Sequence, residues 1–194
     1  MSNYLQKRLM ALAGIFWIIY LILHMLINLN FLNSSSDFND FYNWFDKSQV
    51  LNYLLTALLI SSFLLHIVVA ISRKLSNINK RDINYKKSYP LAVPSFAAWG
   101  GAFILLIFIV FHFIQMQLLT TTDYYQEIYN IFKSPLSLII YSLGFMTLTA
   151  HLHHSLNNVL KTLGVSSKNY NKLIVLFLII LIGGFASVPI SVYL

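Results

Sequence analysis

Five apolar stretches, at residues 9–32, 50–72, 93–119, 136–160 and 173–194, contain no aspartate, glutamate, lysine or arginine. Each reaches the roughly 20 residues that an α-helix needs to cross a bilayer. Water is absent from the hydrocarbon core, so the backbone there must satisfy its own hydrogen bonds, and an apolar run of this length does so as a helix. The expected fold class is therefore all-α: one multi-pass membrane bundle of five transmembrane helices spanning residues 1–194. Only 10% of the residues are charged, against about 25% in soluble domains. The first stretch follows Lys7 and Arg8 but is too long for a signal peptide and has no small-residue cleavage site, so it is expected to be retained.

The basic residues are segregated. If the five spans alternate, eleven lysines and arginines fall on one side: Lys7, Arg8, Arg73, Lys74, Lys80, Arg81, Lys86, Lys87, Lys161, Lys168 and Lys172. The other side carries Lys47 and Lys133 with Asp37, Asp40, Asp46, Asp123 and Glu127. The positive-inside rule then predicts a cytoplasmic N-terminus and an external C-terminus. The net charge of +7 thus reads as topology, and no nucleic-acid partner is expected. On the acidic side, 33–49 is expected to be an acidic, aromatic loop. On the basic side, 72–89 is expected to be a long loop. With no cysteine in the chain, disulfides, cysteine-bound iron–sulfur clusters and thiolate haem ligands are excluded within it.

Against this apolar background stand six histidines, His24, His66, His112, His151, His153 and His154. Ionisable residues inside a membrane mark functional sites by default. Measured from the basic flanks, His24 and His112 lie in the outer half of the first and third spans. His66 and His151 lie in the inner half of the second and fourth. The two levels differ by roughly 10–14 Å at the helical rise per residue. Two imidazoles facing each other across a bundle can hold a metal or a planar macrocycle. Haem b is the economical choice, because its ring is apolar and its iron takes neutral imidazole. A bare divalent ion would lack the carboxylates or thiolates needed to complete and neutralise its coordination. Any one membrane histidine can instead be an interhelical hydrogen-bond donor, and it is the matched levels that favour ligation.

The fourth span ends in TAHLHHSLNNVLKTLG. Its three histidines cannot converge on one ion, because helical spacing turns His153 nearly opposite to His151. His154, three residues after His151, lies on the same face one turn nearer the basic side. Gly14, Gly100, Gly101 and Gly144 lie near these levels and either leave room for a flat group or allow close helix packing.

HLHHSLNNVLKTLG, with AGIFWIIYLILHM, LLHIVVAISRK and FILLIFIVFHF, resembles the membrane-anchor cytochrome b subunit of succinate dehydrogenase and fumarate reductase, in the bacterial form with two haems on one five-helix polypeptide. The resemblance covers essentially the whole chain. It implies four axial ligands: His24 with His112 at an outer haem b, and His66 with His151 at an inner one. It also implies that Gly164 terminates the fourth-span helix and that Gly14 precedes its ligand by ten residues. A flavoprotein and an iron–sulfur subunit would dock on the cytoplasmic face, and membrane quinone, menaquinone or ubiquinone, would be the redox partner. Weaker candidates for propionate or quinone contacts are His154, Arg73, Lys161 and Asp46. Ser155, Asn157 and Asn158 depart from the family pattern, as does AAWGG, which lacks the arginine often found on the third span. Thr149 stands where some members carry an acidic residue. The cytochrome b of a hydrogenase or formate dehydrogenase is an alternative within redox chemistry. A small proton-coupled transporter is the alternative outside it, though such proteins commonly show internal repeats and none stands out here.

Overall fold

The computed structural model describes residues 3–78, 95–164 and 169–194, and all of its regular elements are helical. They are α1 (Asn3–Leu29), α2 (Ser35–Lys47), α3 (Gln49–Ile78), α4 (Ser95–Gln117), α5 (Tyr124–Lys133), α6 (Pro135–Thr162) and α7 (Tyr170–Ser191), with a 3-10 turn over Asn30–Leu32. Five of these are long and apolar enough to cross a membrane, over Arg8–Leu32, Gln49–Ser76, Trp99–Gln117, Pro135–Thr162 and Tyr170–Ser191. They agree with the five expected spans, with two exceptions. The second spanning helix continues past 72 to Ile78, so Arg73 and Lys74 lie on α3 and not in the expected loop. Positions 79–89 of that loop and 93–94 of the third span lie outside the described residues. So do Lys80, Arg81, Lys86, Lys87 and Lys168, most of the basic side's loop charge.

The spanning helices are apolar around much of their circumference. α3 exposes Leu51, Leu54, Leu55, Leu58, Leu64, Leu65 and Val68, and α7 exposes Leu176, Ile179 and Ile180. In water such surface would drive aggregation. In a bilayer it meets lipid of equal polarity, and helices associate through close packing instead. The closest helix pairs are α4–α6, α1–α7, α6–α7, α1–α3 and α1–α6. α7 is the backing element, its Ile174, Leu178 and Leu181 buried with Met25 of α1 and Leu152 of α6. A Cβ on Gly184 would collide with the Met25 side chain, so the glycine is what lets α7 close on α1.

The remaining four spans form a square in the order α1, α3, α4, α6. Three sides pack directly, while α3–α4 is not among the close pairs of described residues. Across that open side the Lys74 ammonium lies 4.0 Å from the centre of the Trp99 ring. The diagonals α1–α4 and α3–α6 are likewise not in close backbone packing.

Two short helices cap the end opposite the basic termini, and here the expected loop is corrected. Residues 35–47 are α2, started by Ser34, whose hydroxyl accepts from the Asp37 amide at 3.0 Å. Asp123 caps α5 in the same way, accepting from the Gln126 amide at 3.1 Å. The apolar spacing was present in FNDFYNWF, where Phe38, Phe41, Tyr42 and Phe45 share one helical stripe. Its acidic residues suit a loop equally well. Phe38, 1% exposed, anchors the cap in a cluster with Phe31, Phe132, Tyr141, Val188 and Val192. Asn39 ties the two cap helices together. Its Nδ2 donates to Asp123 Oδ1 at 2.9 Å and its Oδ1 accepts from the Tyr125 amide at 2.8 Å.

α6 ends as its sequence implies. Leu163 is its C-cap, and Gly164 follows with φ +80°. This left-handed conformation suits glycine, and it stops the helix while its amide bonds the Lys161 carbonyl at 3.2 Å.

Candidate functional site: two histidine pairs across the bundle

The square's diagonals are where the histidines meet. His24 on α1 and His112 on α4 have ring centres 5.9 Å apart with planes at 63°. His66 on α3 and His151 on α6 have ring centres 6.3 Å apart with planes at 70°. These are the two pairs expected from depth along the spans. Each joins two helices that are not among the closely packed pairs of the described residues, so side chains make the meeting.

The pairs also occupy two levels. Tyr141 of α6 bonds His112 and so marks the level of the first pair on α6. His151 is ten residues further along the same helix, about 15 Å at the helical rise. The His24–His112 pair lies toward the α2–α5 cap, and the His66–His151 pair toward the basic ends.

Aromatic rings wall the outer pair. His24 stacks on Tyr20 at 5.4 Å and meets Phe185 of α7 at 5.7 Å. His112 stacks on Phe108 at 6.0 Å and meets Tyr141 edge-on at 5.7 Å. His112 Nδ1 is 3.1 Å from the Tyr141 hydroxyl, which donates to Gln115 Oε1 at 2.7 Å. Asn28 Nδ2 donates to the His24 carbonyl at 2.7 Å. Gly144 faces Phe108, and a Cβ there would fall 2.6 Å from the ring. Phe108 thus packs into the surface that Gly144 leaves flat.

The inner pair is barer. His66 Nδ1 is buried and has no hydrogen-bond partner among the described residues. Gly14 faces Val159 of α6, where a Cβ would lie 3.5 Å from the valine side chain in ordinary contact, and so serves helix packing. At Gly100 and Gly101 a Cβ would meet no described atom within 4 Å.

The cluster on α6 fans out. His151 turns to His66. His153 Nε2 donates to Asn171 Oδ1 of α7 at 3.1 Å. His154 is exposed, and its Nε2 accepts from Asn158 Nδ2 at 3.1 Å. Among the described residues no group of three or more histidines, aspartates or glutamates converges to hold an ion.

The weaker candidates scatter. Arg73 is half-buried on the last turns of α3, and Lys161 is exposed at the end of α6. Asp46 lies at the opposite end of the bundle, in an open cleft with Leu119, Thr120, Thr121, Thr122 and Tyr124. Burial, and then the Asp46 carboxylate, pushes the Tyr124 phenol above its ordinary range. His154 and Lys161 therefore share the inner end with His151, whereas Asp46 is remote from it.

The spacing of each pair suits a shared iron. A first-row metal binds imidazole nitrogen at about 2.0–2.1 Å, which puts two ring centres across one metal about 6 Å apart. The neutral donors, the absence of carboxylates from the spans and the unpartnered nitrogen of His66 are compatible with haem ligation. Comparison with family models, with curated proteins and with solved structures returns no match.

Proposed function

We propose that this chain is a two-haem cytochrome b, acting as the membrane-anchor subunit of a succinate:quinone oxidoreductase. The observation that carries the reading is the pairing of four histidines across both diagonals of one bundle, with ring centres 5.9 and 6.3 Å apart. On this reading His24 and His112 hold the outer haem b, and His66 and His151 the inner one. Bound there, the haems would supply reversible one-electron iron chemistry, which no side chain of this chain offers.

The residues do the rest. Phe108, Tyr20 and Phe185 keep the outer pair in an apolar, aromatic setting, and the buried His66 nitrogen points to a similarly dry inner one. Dryness favours neutral imidazole and so preserves its ligand lone pair. His154 and Lys161, near the inner end, are the candidates to meet haem propionates. Arg73, at the basic end of α3, joins them. Asp46 is the candidate for a quinone contact at the outer end.

The basic side would face the prokaryotic cytoplasm and receive an iron–sulfur subunit carrying the flavoprotein. Membrane quinone would be the lipid-soluble partner. A purified chain should show the reduced-minus-oxidised spectrum of haem b, with two haems per polypeptide. Spectrally silent, well-folded protein would defeat this reading and leave proton-coupled transport as the alternative. Co-purification of a flavoprotein separates the succinate and fumarate enzymes from a hydrogenase or formate dehydrogenase cytochrome.

A further inference from the structure

Among the buried polar groups, one chain of hydrogen bonds has a direction. The Tyr141 hydroxyl has a single proton, and it goes to Gln115 Oε1 at 2.7 Å. Toward His112 the same oxygen offers only a lone pair. The 3.1 Å contact with His112 Nδ1 is then a bond in which the imidazole donates. A neutral imidazole carries one N–H, so Nε2 is left with its lone pair bare.

The chain is also well placed to persist. Tyr141 is 5% exposed and is held by Phe108 and Phe132, whose ring centres lie 5.4 and 4.9 Å away. Gln115 follows His112 by three residues and so shares its helix face. Donors and acceptors in such a dry setting are costly to leave unpaired.

We propose that Tyr141 is the positioning residue of the outer pair, fixing His112 as its Nδ1–H tautomer and presenting Nε2 to iron, with Gln115 orienting the hydroxyl. This rests on the haem reading above. A hydrogen bond donated from Nδ1 also makes the imidazole a more basic ligand, which favours ferric over ferrous iron. Tyr141 bonds only the outer pair's His112, and His66 Nδ1 has no such partner among the described residues, so the inner pair serves as an internal control.

The test is a redox titration of the full-length chain, purified with its haems, for wild type and Tyr141→Phe. The outer haem is identified as the one lost in His112→Ala. Tyr141→Phe should raise the outer midpoint and leave the inner one in place. A tenfold change in the ferric-to-ferrous ratio reads as about 59 mV for one electron. The ferric electron-paramagnetic-resonance signal of the outer haem should shift with it. Gln115→Leu should move the outer midpoint the same way by less, because a hydroxyl that no longer donates is a poorer acceptor.

If Tyr141→Phe loses both haems through misfolding, Gln115→Leu decides. An outer midpoint that stays or falls overturns the proposal while two bound haems uphold the cytochrome reading. A wild-type chain that binds no haem overturns both.

Discussion

His66 and His151 lie on helices that are not among the closely packed pairs of the described residues, yet their ring centres are 6.3 Å apart. The same holds for His24 and His112 on the other diagonal at 5.9 Å. In a bundle that closes mainly by helix contact, side chains bridging the two unclosed diagonals are the feature that demands a function. On the proposed reading, His112→Ala should remove the outer haem and spare the inner, and His66→Ala should do the reverse. Haem quantitation should fall from two per chain to one in each. Retention of both haems in either variant would mean that the ligands are assigned wrongly.

Gly144 should tolerate substitution poorly. A Cβ there would come within 2.6 Å of the Phe108 ring, and that ring stacks on His112. Overpacking of this kind costs about 1–3 kcal/mol. Gly144→Ala should lower thermal stability and disturb the outer haem spectrum, and adding Phe108→Leu should restore both. Full stability in Gly144→Ala alone would show that Phe108 is free to move away.

Asn39 should hold the cap. It makes two hydrogen bonds from α2 to the start of α5, and net values run at about 0.5–1.5 kcal/mol each. Asn39→Ala should destabilise the protein by about 1–3 kcal/mol and speed amide exchange in α5. Exchange that changes equally in α7 would argue for global loosening instead.

The cap should also respond to acid. Hydrogen bonds from the Asn39 side chain and the Gln126 amide favour the Asp123 carboxylate and hold its pKa below the usual range. The unfolded value is about 3.9. The contribution of this group to stability is therefore full above that value and lost as pH falls through the depressed folded one. Asp123→Asn should loosen α5 at neutral pH in hydrogen exchange, and the gap from wild type should close in strong acid. A gap that persisted unchanged at low pH would exclude the carboxylate charge as its source.

Much of this architecture could be read along the chain. The hydrocarbon thickness sets the length of a spanning helix and leaves no alternative to it, so the five spans followed from apolar runs alone. Depth followed as well, because rise per residue is constant, and it paired His24 with His112 and His66 with His151. The cap helix α2 is not legible in the same way, since its stripe of Phe38, Phe41, Tyr42 and Phe45 is interleaved with acidic and polar residues that also suit a loop.

Lateral position was a different matter. Nothing in the linear order says that α7 backs α1 and α6, or that α3 and α4 are not among the closely packed pairs of the described residues. Those depend on which small residues meet which large ones, as Gly184 meets Met25 and Gly144 meets Phe108. Gln115 could have been placed beside His112 from its spacing of three. Tyr141 could not, because α4 and α6 reach each other only through packing. Local chemistry along each span therefore dictated the helices and the heights of their histidines. The bond from His112 through Tyr141 to Gln115 exists only because close contact of α4 with α6 brought three polar groups together in a dry place.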